Sequence, residues 1–177
     1  MDFGKIILYS LLATMGFGFA YESISAFVCV EYFTYGHRPI VPTNSPLGLG
    51  LQFAFLGWCW VGAALGAPLA IAARIGGEVQ IKAGFFIKPL VALMILISLI
   101  AALGAALGHY AETSGRSPLV APWAGGLERG KHAPYVALLW SHIAAYTAAL
   151  VGSATLVAWT WRKRSAFTQL VRANRGR

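Results

Sequence analysis

A chain of 177 residues that is 58% hydrophobic and 11% charged, with a mean hydropathy of +0.65, has too little polar surface to clothe a water-soluble domain. Composition therefore points to an integral membrane protein. The formal net charge of +8 would suit nucleic acid, but the basic residues fall between and after apolar runs, where they meet anionic headgroups, so nucleic acid is not an expected partner.

Four apolar runs reach the roughly 20 residues that cross a bilayer: 6–33, 47–73, 84–107 and 134–161. The first follows Lys5, but Asp2 lies in its short leader and no A-x-A site comes after it, so it reads as a retained helix and not a secretory signal. Within it, Glu22 is several residues short of the end, where an ionised carboxylate in hydrocarbon must be neutral, paired or wetted. Ser25 and Cys29 share its helical face, which marks that face as the one turned to the bundle. Next comes the stretch CVEYFTYGHRP (29–39). The expectation is that the helix continues through EYFTY, with Tyr32, Phe33 and Tyr35 at headgroup level. Gly36 then permits a turn, Pro39 and Pro42 prevent the helix from resuming, and His37 returns over the bundle mouth towards Glu31, His109 or His142.

Small residues at four-residue spacing mark helix contacts, because lipid tails offer no hydrophobic drive between helices and association rests on close packing. The second run offers Gly62 and Gly66, the third Gly104 and Gly108, and the fourth Ala144, Ala148 and Gly152. Trp58 and Trp60 in the second run, and Trp159 and Trp161 at the end of the fourth, read as packing groups and interfacial anchors. The third run emerges at His109 and Glu112, and the adjoining loop 108–133, rich in Gly, Pro and Ser, carries Trp123, Glu128 and His132. In the fourth run His142 lies eight residues past Pro134, about 12 Å along the axis. Ser141 stands beside it, expected on a different face, and Tyr146 one turn deeper.

The lysine and arginine distribution sets the orientation. Arg74, Lys82 and Lys88 flank the second and third runs, and Arg162, Lys163, Arg164, Arg172, Arg175 and Arg177 fill the end of the chain. These segments are expected to be cytoplasmic, with both termini inside and the loops 35–46 and 108–133 outside. The chain thus divides into a four-span transmembrane domain, 1–161, and a basic cytoplasmic tail, 162–177. Glu22, Glu31, His37, His109, Glu112, His132 and His142 then all fall on the outer half.

This asymmetry has two readings. In one, the polar groups are interfacial or bond across helices to fix the packing. In the other, Glu22, Glu31, His37, His109, Glu112, His142 and Tyr146 form one cluster able to hold a divalent metal, since histidine with carboxylate suits zinc, iron or manganese. The di-iron Glu-x-x-His pattern is present only reversed, as His109-x-x-Glu112, and no H-E-x-x-H, C-x-x-C or C-x-x-C-H occurs. Cys29 and Cys59 fall at unequal depths, and no disulfide is expected between them.

The segments VEYFTYGHRPI, WCWVGAALGAPLAIAARIG and LLWSHIAAYTAALVG resemble the signatures of a family of small bacterial multi-span membrane proteins: EYFT-x-GH-P, WWVG-x-x-LG-x-P-L-A-x-A-A-R and W-x-H-x-x-x-Y. Arg38 departs from the pattern, standing between His37 and Pro39. The resemblance implies a bacterial membrane protein whose motif positions are Glu31, Tyr32, Phe33, His37, Trp60, Arg74, Trp140, His142 and Tyr146, and it implies no activity. The expected fold is an all-α, four-helix transmembrane bundle in the bacterial inner membrane. The leading functional reading is a binding or assembly subunit that meets lipid, a membrane protein partner or another copy of itself. The alternative is a metal-dependent hydrolase or oxidoreductase acting on a lipid-like substrate at the outer leaflet. Proton or solute passage is disfavoured, because the inner half carries few intramembrane polar residues.

Overall fold

Backbone amides in hydrocarbon must find partners within their own segment, which favours helices wherever an apolar run is long enough. The computed structural model describes residues 2–37, 39–76, 79–116, 119 and 124–175; its regular elements are helical, with no strand among the described residues. Arg38, Glu78 and Trp123 lie outside the described residues.

Helix α1 spans Asp2–Val28, about 40 Å at 1.5 Å per residue. The chain becomes extended at Cys29 (φ −155°, ψ 95°) and re-enters a short helix, α2, at Val30–Thr34. Helix α3, Pro46–Phe53, begins on a local cap: the Ser45 hydroxyl accepts from the Gly48 amide at 3.4 Å, and Pro46 occupies the first helical position, where its missing N–H costs nothing. A single π-helical turn, Ala54–Trp58, joins α3 to α4, Cys59–Arg74, so that Pro46–Arg74 is one continuous helical stretch long and apolar enough for a crossing. A 3₁₀ turn at Ala83–Phe86 leads into α5, Ile87–Thr113, and α6 covers His132–Arg175. Four helices are long and apolar enough to cross a membrane.

They form a ring. The α3–α4 crossing packs on α1 and on α6, α6 packs along α5, and α5 touches α1 more sparsely, so α1 and α6 face each other across the middle. Ile6, Trp58, Leu65, Leu69, Leu90, Ile97 and Ala145 fill the centre. The four glycines expected at contacts lie at them. A Cβ at Gly62 would run into Thr14 and Leu11, and one at Gly66 would meet the Ile7 backbone and the Ser10 side chain of α1. At Gly104 it would meet Ala144 and the Trp140 carbonyl, and at Gly108 Trp140 and the Val136 carbonyl. At each site the missing glycine side chain lets the neighbouring helix come into direct contact with the backbone, the packing that membrane helices use in place of a hydrophobic drive.

One feature differs from the sequence expectation. The first helix does not continue through EYFTY, and Tyr32 and Phe33 are buried within the protein, at 4% and 1% exposure, while Tyr35 is exposed. The extended residue at Cys29 re-aims α2, which turns both rings onto the end of the bundle beside Leu49, Tyr135 and Leu138. Gly36 has no left-handed backbone. It serves close approach instead, because a Cβ there would collide with the Tyr135 hydroxyl and the Tyr32 carbonyl. The basic segment 162–175 is helical and continues the fourth apolar run without a break; α6 is 44 residues, about 66 Å, roughly twice the hydrocarbon thickness. Arg164 on this extension is only 3% exposed and donates to the carbonyls of Ile71 and Ile75, capping the open end of α4.

Candidate functional site

The polar centre of the protein is built by one residue from each of three crossings. Glu22 on α1, 2% exposed, points across the ring to His142 on α6, with Oε2 and Nε2 2.9 Å apart. Its other oxygen, Oε1, accepts from the indole Nε1–H of Trp58 at 2.8 Å. Trp58 is fully buried and closes the π-helical turn. Such a turn inserts one residue into a helix and rotates the residues beyond it, and here it falls where the crossing must deliver an indole to a carboxyl. The ring is accommodated by Gly18 of α1, where a Cβ would occupy the indole, and Tyr146 stacks on its other side with centroids 5.0 Å apart and planes at 14°.

Hydrogen-bond chemistry fixes the proton count. His142 Nδ1 lies 2.8 Å from the Leu138 carbonyl, which can only accept, so Nδ1 carries a hydrogen. Nε2 and Glu22 Oε2 at 2.9 Å must then share a second proton, since two lone pairs would repel at that distance. Whichever atom holds it, the pair as a whole is uncharged, which is the condition under which a carboxyl and an imidazole can be buried in an apolar bundle. Tyr21 continues the network: its hydroxyl is 2.8 Å from Ser141 Oγ and 3.3 Å from His142 Nδ1. Ser141 and His142 therefore meet the same side chain, although adjacent residues on a helix do not share a face; the long Tyr21 ring reaches both.

The other expected site residues separate into smaller groups. Glu31 pairs with Lys131 at 3.1 Å and accepts from the Cys29 thiol at 3.3 Å. Burial pushes the Glu31 carboxyl upward, but hydrogen bonds from its own backbone amide, Lys131 and Cys29 outweigh that and hold it below the usual carboxylate value. Burial raises the Cys29 thiol. Glu112 accepts from the Leu119 amide at 2.6 Å and stands 3.8 Å from His132 Nδ1. His109 is exposed near the end of α5. His37 donates from Nδ1 to the Tyr32 carbonyl at 3.0 Å, and its ring lies 4.9 Å from that of Tyr32. Tyr32 in turn stacks on His142 at 4.7 Å with planes 29° apart. The turn after Gly36 lays His37 against the Tyr32, Phe33 and Phe53 rings, so that it reaches His142 only through the Tyr32 ring between them.

The single seven-residue cluster is accordingly corrected to a buried Glu22–His142 centre and separate outer pairs. Among the described residues no group of three or more His, Cys, Asp and Glu side chains converges at metal-binding distance. At the centre both carboxyl oxygens and both ring nitrogens already have partners. Tyr21 carries no expectation from the sequence, and Trp58 and Ser141 enter there only as a packing group and as a residue on a different face from His142, not as parts of this centre. For Trp58 the usable signal was that a buried carboxyl needs an N–H donor and tryptophan is a donor only; the π-helical turn that aims it leaves no mark in periodicity.

No protein-family model, curated protein or solved structure matches this chain.

Proposed function

We propose that the protein is a binding or assembly subunit of the bacterial inner membrane, with both termini cytoplasmic, in which the buried polar centre locks the bundle and the outer pairs present a rigid surface to a partner. The observation that carries this is the saturation of the Glu22–His142–Trp58 centre. A catalytic acid or base needs a free valence towards substrate, whereas here each polar atom of Glu22 and His142 is spent on another helix or on the backbone. A lock of this kind, joining three crossings through an uncharged pair, holds the helices in one register, and buried polar contacts are well suited to that use. The clustering of Arg162, Lys163, Arg164, Arg74, Lys82 and Lys88 at one end supports the orientation. The resemblance of the three motif segments supports the bacterial membrane.

A specific observation favours a second reading, a membrane enzyme acting on a lipid-like molecule. A cavity of about 380 Å³ between α1, α5 and α6 is walled by Tyr21, Ser25, Ser98 and Ser141 among apolar side chains, and two of those hydroxyls connect to His142. Purification of the tagged chain from its native membranes in mild detergent separates the readings. Co-purification of a stoichiometric partner that survives Glu22→Gln supports the subunit. Stoichiometric zinc, iron or manganese by element analysis, lost on His142→Gln, would replace it with the enzyme. Reporter fusions after Arg177 and near Gly125 test the orientation, with cytoplasmic and external behaviour expected in that order.

A further inference from the structure

A groove of about 790 Å³ runs down the outside of the bundle between α4 and α6. Its walls are Val61, Pro68, Ala154 and Trp161, its upper end is Tyr146, and its lower end is Arg162. From Tyr146 to Arg162 along α6 is about 24 Å, longer than the roughly 15 Å depth of one leaflet's hydrocarbon. An extended acyl chain fits this length, and its polar end would lie where the basic residues collect.

The charge at that end is available. Lys163 lies over the Phe85 and Trp159 rings, Arg164 is held by the Ile71 and Ile75 carbonyls, and Arg74 pairs with Asp2 at 3.4 Å. Arg162 is exposed and has no ion-pair or hydrogen-bond partner among the described residues. Guanidinium presents a planar fork matched to phosphate oxygens. The neighbouring groove between α5 and α6, walled by Leu93, Ile100, Leu156 and Trp159, carries no charged side chain and makes a useful contrast.

We infer that the α4–α6 groove binds one acyl chain of an anionic phospholipid whose phosphate is held by Arg162. The inference goes beyond the subunit reading and does not depend on it, because the groove lies outside the Glu22 centre and shares only Tyr146 with its surroundings. The bound chain would cover Trp161 and reach the ring that stacks on Trp58, so lipid occupancy would brace the same crossing that the polar centre locks.

The test uses the full chain in phosphatidylcholine vesicles containing a minor component with brominated acyl chains, either phosphatidylglycerol or phosphatidylcholine. The difference in fluorescence between wild type and Trp161→Phe isolates the groove signal. Half-maximal quenching of Trp161 is expected at a mole fraction of brominated phosphatidylglycerol about fivefold lower than of brominated phosphatidylcholine, the weight of one basic side chain at a membrane surface. Arg162→Gln should equalise the two lipids while leaving helical circular dichroism unchanged, since the side chain holds nothing else. Equal midpoints in the wild type, or a phosphatidylglycerol preference that persists in Arg162→Gln, would overturn the assignment. So would efficient disulfide dimerisation of Ser153→Cys in a Cys59→Ser background in those vesicles, which would give the groove to a second copy of the chain.

Discussion

Replacing Glu22 tests the polar centre most sharply, because two substitutions of similar size have opposite expectations. Glu22→Leu fills the space but removes the carboxyl, leaving both its partners, the Trp58 N–H and the His142 Nε2, unpaired in a buried site. An orphaned buried group costs roughly 1–3 kcal/mol in a water-soluble protein. In a membrane the unfolded reference also finds partners, and measured interhelical bonds are about 0.6–1.7 kcal/mol each. Two bonds then give a loss of about 1–3 kcal/mol, or roughly 5- to 150-fold in the folding equilibrium. Glu22→Gln should cost far less: its amide oxygen accepts from Trp58 and its NH₂ donates to His142 Nε2, while Nδ1 keeps its hydrogen on Leu138. Reversible unfolding in mixed micelles of mild detergent and dodecyl sulfate, followed by Trp fluorescence, measures both. The pair with His142→Leu, taken as a double-mutant cycle, should show coupling, since the two side chains share one bond. A Glu22→Leu protein as stable as the wild type, or a Gln variant no better than Leu, would refute the bonding scheme.

Contacts elsewhere set three further expectations. Gly104→Ala should destabilise by about 1–3 kcal/mol, because its Cβ meets Ala144 and the Trp140 backbone. Gly16→Ala, with open space around it, should be neutral or stabilising by up to about 1 kcal/mol; the same micelle unfolding assay compares them. Arg164→Met should free the Ile75 carbonyl and leave the Ile71 carbonyl only its Ile75 N–H, at about 1.5–3 kcal/mol, and speed amide exchange at Ile75 and Ile81, whose N–H groups bond back to α4. Because the Glu31 carboxyl lies below its usual value in the folded protein, it stabilises the fold above the ordinary carboxylate range and loses that contribution as pH falls through its lowered folded value. The gap in Tm between wild type and Glu31→Gln should therefore be present at neutral pH and close on acidification, and a gap independent of pH would contradict the Lys131 and Cys29 contacts.

Sequence alone determined the class, the four crossings and the small-residue contacts, because these depend on quantities that accumulate along the chain. A run of about 20 apolar residues is long enough to span, and glycines at four-residue spacing line one face whatever they meet. Glu22 was also legible as a residue needing a partner, since the cost of an isolated intramembrane carboxylate does not depend on the fold. His142 was recognised as an intramembrane group at similar depth.

What only the tertiary structure decided was which polar groups meet. Glu22 and His142 are 120 positions apart and sit on helices that face each other across the ring, so their bond depends on helix order and rotation, which composition does not encode. Trp58 reaches Glu22 through one inserted residue in a π-helical turn, a shift too small to disturb the hydrophobic pattern. The break at Cys29 is of the same kind. Nothing in VCVEYFT forbids a continuous helix, and burial of Tyr32 and Phe33 against Leu49, Tyr135 and Leu138 outweighs local propensity there. The outer carboxylates and imidazoles, alike in sequence, were divided by that geometry: Glu31 went to Lys131, Glu112 to His132 and Leu119, His37 to the Tyr32 carbonyl, and the Glu22–His142 pair to the centre. Hydrogen bonds act over about 3 Å, while sequence places side chains only to the nearest helical turn of about 5 Å, and that difference in scale is why the spans were readable and the site was not.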